Sequence, residues 1–453
     1  MGDIIDHTRL HRTAKYFMDS GRAQTHEQAL ALLQEFGLTV FVGPSVGRNA
    51  DEQIALLTLV NAGRRTFLGG VEVIGIEDAR ALVSLTSAPT LRQAVADLGG
   101  KISSTPNPRF PSAVIGDAAP ASLSAPAWRV AWQGWRGGVV PWNYDGPAAG
   151  PAMPLAPALA AAVCAAEVFA FHAGDHPMSG KRAAGLSLWA PGHDWLLADP
   201  TEPALSYLPS RLWLIGLGNL GQAFAWLLAC LPYAARTQVE LMLQDIDRLA
   251  ESNDSTSLLS SITTVGQHKT RFVAQWLDAM GFRTSIEERR FGDWTRRAPH
   301  EPGVALCGVD NAPARMALGK AGFDLVVEAG LGGGPQGFRS FSVHSFPSSR
   351  RPEEIWSRHL NDAGPDVSGM PAYGALKGKG MDACGLAQLA SRTVGVPFVG
   401  LTAAVMALVE LLRRLHGGTA LEVAAGSLMC LDDIEVAPME APVYGYGHVP
   451  VAS

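Results

Sequence analysis

Residues 212–247 read LWLIGLGNLGQAFAWLLACLPYAARTQVELMLQDID. An apolar strand runs into a glycine-rich turn, an apolar helix follows, and a second strand ends in acidic residues. This is the first βαβ unit of a doubly wound sheet. In GLGNLG, the glycines Gly216, Gly218 and Gly221 let backbone approach a phosphate, and the helix N-terminus behind them favours negative charge. Asp245 and Asp247 end the second strand, where a carboxylate can accept hydrogen bonds from ribose hydroxyls. A solvated strand end would account for either aspartate alone.

Residues 38–75, LTVFVGPSVGRNADEQIALLTLVNAGRRTFLGGVEVIG, open in the same way. Here GPSVGRN replaces the full glycine fingerprint, and Gly69-Gly70-Val71-Glu72 stands where the other segment has Asp245-Ile246-Asp247. Two later helices also match: AAAVCAAEVFAFHAG (160–174) and TAAVMALVELLRRLHGG (402–418), each with an internal glutamate, Glu167 or Glu410, and a glycine stop. The chain is therefore expected to be α/β, with two related Rossmann-like sheets. A degenerate copy spans 1–190, an active copy spans 211–453, and the Pro-rich stretch 191–210 joins them.

Polar groups accumulate after the second glycine turn. Asn253 follows Asp247 closely, and Lys269 sits in VGQHKT at the head of the next helix. CGVDNAPAR places Asp310, Asn311 and Arg315 after a third apolar strand, VALCGV. Doubly wound sheets bind ligands at these carboxyl ends of strands. A lysine there supplies a point charge for phosphate, and an aspartate can hold Mg²⁺ bridging phosphate oxygens.

This set resembles the ThiF/MoeB/HesA superfamily of ubiquitin-activating-type (E1-like) enzymes. The glycine loop, Asp245-Ile-Asp247, Ser252-Asn253, Gly266-Gln-His-Lys269 and Asp310-Asn311 with Arg315 fall in the family order. The resemblance implies that ATP binds over Gly216, Gly218 and Gly221. Asp245 and Asp247 would lie at the ribose, Asn253, Lys269, Asn311 and Arg315 around the nucleotide, and Asp310 on Mg²⁺. The implied reaction is attack of a ubiquitin-like protein's C-terminal carboxylate on the α-phosphate. One position departs from the pattern. SNDSTS puts Thr256 where the family carries a phosphate-facing arginine. Family members also lend an N-terminal arginine across a pair of like domains, and Arg9-Leu-His-Arg12 occupies that region, so Arg12 is the expected donor.

Cys384 lies in LKGKGMDACGLAQLASRTVGVPFVG, within the crossover loop of about 347–384 and its following helix. A helix N-terminus with Lys377 and Lys379 nearby would favour its thiolate. The resemblance makes Cys384 the nucleophile for a thioester, from which a conjugating enzyme takes the acyl group. Cys164, Cys230, Cys307 and Cys430 lie in or beside apolar runs and are expected to be buried and inert. The fused arrangement resembles the activating enzymes of bacterial ubiquitin-like (Bil-type) conjugation operons, some tied to antiviral defence. Alternatives are a sulfur-carrier-protein adenylyltransferase and a non-catalytic pseudo-activating scaffold. A nicotinamide dehydrogenase shares GLGNLG but has no use for Lys269 or Asp310-Asn311.

Composition narrows the classes further. The 453 residues carry a net charge of -6, which gives no basic field for nucleic acid. MGDIIDHTRLHR lacks a signal-peptide layout, and the Ala-rich run from Leu155 to Ala173 contains Glu167, so a core helix is expected rather than a membrane span. Five cysteines without a CxxC pair fit reduced thiols in a cytoplasm. A homodimer is left open, because the internal repeat can itself supply a two-domain unit.

Overall fold

In the computed structural model, which describes residues 6–144, 150–360 and 365–452, the quoted segment forms β9 (Arg211–Ile215), a helix Asn219–Cys230 and β10 (Glu240–Gln244). Its counterpart forms β1 (Gly37–Val42), a helix Ala50–Thr66 and β2 (Gly70–Ile74). The first sheet adds β3 (Lys101–Ile102), β4 (Ser112–Ile115), β5 (Ala127–Gln133), β6 (Arg136–Pro141) and β7 (Ala184–Ser187), in the order β3-β2-β1-β4-β5-β6-β7. A short strand β8 (Tyr207–Pro209) pairs with the last one, β17 (His448–Pro450).

The second sheet continues with β11 (Arg283–Glu287), β12 (Val304–Cys307), β13 (Leu325–Leu331), β14 (Ser340–Phe346), β15 (Ala420–Ser427) and β16 (Cys430–Met439). Its order is β11-β10-β9-β12-β13-β14-β15-β16. Strand for strand the first seven follow the plan of the first sheet, and each sheet turns antiparallel late, at β5–β6 and at β13–β14. The parallel strands β1, β4 and β12 are buried along their whole length, as continuous apolar runs require when both faces are covered.

The helices Leu155–Ala173 and Pro397–Leu415 pack on each other and join the halves into one core. Leu155–Ala173 is long and apolar enough to cross a membrane, yet 89% of its window is buried inside the protein. It stops at Gly174, whose φ of 63° is the left-handed geometry glycine adopts freely. The matching glutamates are both buried and both neutralised by arginine: Glu167 by Arg182 at 2.7 Å, Glu410 by Arg413 and by Arg414 at 2.6 Å. The polar crossover carries helices of its own, Pro352–Trp356 and Pro371–Gly378, before the helix Ala383–Ser391.

Candidate functional site

The glycine turn after β9 is built for close approach. Gly216 has φ +82°, and a Cβ on Gly221 would come within 2.0 Å of the Gly216 carbonyl oxygen, whereas one on Gly218 meets nothing within 4 Å. No side chain caps the N-terminus of the helix Asn219–Cys230. Its first N–H groups are thus left without a side-chain partner among the described residues. Asp245 fixes the turn from the neighbouring strand: its Oδ2 accepts from Leu217 N at 2.7 Å and its Oδ1 from Asp247 N at 2.8 Å. Lys269 Nζ lies 3.1 Å from Asp247 Oδ2 and 4.0 Å from Asp245 Oδ2, so this lysine bridges the two strand-end carboxylates.

The remaining sequence-selected residues divide. Asn253 Oδ1 accepts from Ala250 N at 2.8 Å, which shapes the short helix Glu251–Ser255. Asn311 caps the helix Ala312–Ala317, its Oδ1 accepting from Ala314 N at 2.9 Å. Arg315 is engaged away from the turn. Its Nε lies 2.8 Å from the buried Glu328 carboxylate on β13, and its guanidinium lies over the Trp356 ring. The ion pair places a counter-charge beside a buried carboxylate.

Asp310 stands accessible past β12, ion-paired with Arg392. Arg12 comes to the same place from the other half. Its backbone N donates to Ser255 Oγ at 3.0 Å, and its guanidinium interacts electrostatically with Arg392, Asp310 and Tyr373. One Arg12 terminal nitrogen is buried without a hydrogen-bond partner among the described residues. Burial, with repulsion from Arg392, pulls its pKa down to about 10. Thr256 is buried and hydrogen-bonds the Ser252 carbonyl at 3.3 Å, so it offers no charge.

The first half also holds the 251–260 loop. On the helix Ala50–Thr66, Arg64 makes a bidentate pair with Asp254 at 2.9 and 3.2 Å. Arg65 donates to the carbonyls of Asp254, Leu258 and Ser260 at 2.7, 2.7 and 2.8 Å. The first half's own turn is filled. Ser45 Oγ bonds Asp117 at 2.6 Å and Glu52 at 2.7 Å, and a Cβ on Gly43 would meet Asp117 Oδ1 at 2.0 Å. Two carboxylates, Glu52 and Asp117, thus converge on Ser45 in this turn.

Cys384 is the second residue of the helix Ala383–Ser391, which is capped by Asp382 accepting from Gly385 N at 2.7 Å. Its thiol is exposed and lines a cavity of about 450 Å³ with His7, Met381, Asp382 and Gln388. The expected cationic surroundings differ, because Lys379 turns to Glu27 at 2.6 Å. Cys164, Cys230 and Cys307 are buried, and burial pushes the thiols of Cys230 and Cys307 up to about 12. Cys430, expected buried, is exposed, since it lies at the hairpin between β15 and the edge strand β16.

Sequence reasoning missed Arg392, Asn219, Arg64 and Arg65. Thr256, standing where the resembled family carries an arginine, was the one sequence feature that pointed to a cation from elsewhere.

Comparison with known proteins adds family identity. The model of the BilD N-terminal domain matches residues 37–188, and that of the BilD C-terminal domain matches residues 208–418. A protein from Collimonas sp. (strain OK412), described as bacterial E1-like protein BilD, is 59% identical over 449 residues, 99% of this chain and 97% of its own length. Among solved structures, E. coli MccB aligns over 51% of this chain and 62% of its own, at 12% identity and a TM-score of 0.33. MccB with ATP gives the same score over 63% of its chain. This chain thus spans less than two thirds of MccB.

Proposed function

We propose that this chain, which belongs to the BilD family of bacterial E1-like proteins, uses ATP to adenylate the C-terminus of a ubiquitin-like protein and then takes the acyl group onto Cys384. Residues 211–453 form the working half and residues 1–190 a nucleotide-free half that completes it. The observation that carries the reading is Arg12, a buried guanidinium with an unpartnered nitrogen, brought from the first half to Asp310. Burying a charge is costly without a partner. A buried cation that faces Asp310 and leaves a nitrogen unpartnered among the described residues suits a polyphosphate.

In this reading the substrate's carboxylate oxygen attacks the α-phosphorus, and the bond to the leaving pyrophosphate breaks. Asp245 sets the glycine turn and offers its remaining lone pairs to ribose. Lys269 and Arg12 neutralise phosphate charge, and Asn253 and Asn311 shape the loops around it. Asp310 is an accessible carboxylate of the kind that holds Mg²⁺, which supplies charge neutralisation across phosphate oxygens when bound. The chain's contribution is positioning and fixed charge.

In the second step the Cys384 thiolate attacks the acyl carbon, the acyl–phosphate bond breaks, and AMP departs. A conjugating enzyme's thiol then receives the acyl group. Cys384 and Arg392 stand at opposite ends of one helix, about 12 Å apart at the usual rise, so the acyl group or the helix has to cover a distance of that order. Use in a bacterial conjugation pathway with a defence role, in the cytoplasm, belongs to the same proposal. The test is ATP–pyrophosphate exchange driven by ubiquitin-like proteins. Exchange that appears with one of them and is lost in Asp310→Ala supports the reading. Tight ATP binding without exchange from any of them would replace it with a binding scaffold.

A further inference from the structure

We infer that Arg392 is the phosphate-binding cation missing at Thr256, so that the helix carrying Cys384 completes the nucleotide site. This rests on the adenylation reading above.

Three observations converge on Arg392. It is the C-cap of the helix Ala383–Ser391 and makes an ion pair with Asp310 from a side chain that is 47% exposed. The backbone that follows it is seated on the glycine turn, since Asn219 Nδ2, in the middle of GLGNLG, donates to the Gly395 carbonyl. That same Gly395 lies against Thr256. A Cβ added there would stand 3.6 Å from Asn219 Nδ2 and 3.7 Å from Thr256 Cγ2. The segment 392–396 therefore crosses the two features between which the absent arginine would act, and it brings an arginine of its own.

The electrostatics point to an anion between these groups. Arg12 and Arg392 lie close enough to repel each other, and Asp310 attracts both. Arg12 still leaves a buried nitrogen without a partner. Asp310 ion-pairs Arg392 and acts on Arg12 only at longer range, which leaves positive charge uncompensated, and guanidinium pairs phosphate oxygens in bidentate fashion. With nucleotide present, Asp310 can turn to the metal and Arg392 to the phosphates. Because Arg392 ends the Cys384 helix, phosphate binding would also fix that helix.

The test is calorimetric titration of the full chain with Mg·ATP, without any ubiquitin-like protein, for wild type, Arg392→Ala and Arg392→Lys. Loss of a charged hydrogen-bond donor predicts a Kd raised about tenfold to a hundredfold in Arg392→Ala, with Arg392→Lys between the two. Adenosine, which has no phosphate, should bind all three alike, and this separates a lost phosphate contact from misfolding. In parallel, ATP should slow amide exchange over 383–391 in wild type and not in Arg392→Ala. Unchanged ATP affinity in Arg392→Ala would overturn the assignment, and tighter binding would do so too, by making the Asp310 pair a latch against nucleotide. Failure of wild type to bind ATP would overturn the adenylation reading itself.

Discussion

Replacing Arg65 by alanine tests whether the first half acts as a clamp on the second half's loop. Arg65 is buried at 4% exposure, and burial pulls its pKa down to about 9. It is kept there by three carbonyls of the 251–260 loop at 2.7 to 2.8 Å and by Asn61 Oδ1 at 3.0 Å. A hydrogen bond to a charged group contributes about 1.5–3 kcal/mol, and an orphaned buried carbonyl costs roughly 1–3 kcal/mol. Water entering the space left by the side chain recovers part of this, as does the relieved desolvation, so a net loss of about 3 kcal/mol follows. At about 1.4 kcal/mol per factor of ten, local opening of the loop becomes roughly a hundredfold more frequent. Hydrogen exchange by mass spectrometry over 251–260 measures it directly. ATP affinity should fall with it, because Asn253 and Ser255 lie in the same loop. Arg65→Ala with unchanged protection of 251–260 would refute the clamp.

Arg12→Ala should separate activity from stability. It removes a desolvated charge with an unpartnered nitrogen, so thermal stability should hold or rise while pyrophosphate exchange falls at least tenfold; undiminished exchange would remove Arg12 from the site. The docking of the N-terminal segment should be acid-sensitive through His11. Burial holds its pKa at about 4 against an ordinary 6.5. A depressed histidine contributes stability that is complete above 6.5 and is lost as pH falls toward 4, since the unfolded chain takes up the proton first. Protection over 7–19, corrected for the intrinsic pH dependence of amide exchange, should therefore fall between about pH 7.5 and 5, and His11→Gln should flatten the profile; equal profiles would show that His11 does not control it.

Local demands made the glycine turn and the internal repeat legible in sequence. The glycine turn could be read because two of its glycines answer to the local backbone, Gly216 through its φ of +82° and Gly221 through its 2.0 Å approach to the Gly216 carbonyl. The repeat was legible because the same strand–helix–strand pattern and the same glutamate-bearing helix recur, and the two sheets share one strand order. Arg315 keeps the family spacing, but its ion pair with Glu328 on the next strand depends on tertiary packing that the motif does not encode. Arg392 was hidden because it meets Asp310 only after the chain has crossed back over the sheet. The exposure of Cys430 depends on the position of a hairpin at a sheet edge, which composition does not encode.

The central claim is tested most directly by incubating the chain with ATP and a ubiquitin-like protein that drives exchange, then resolving the products with and without reductant. The account predicts a reducible adduct in wild type and in Cys430→Ala, and none in Cys384→Ala, which keeps its pyrophosphate exchange. An adduct that survives in Cys384→Ala, or exchange that disappears with it, would contradict adenylation followed by transfer to Cys384.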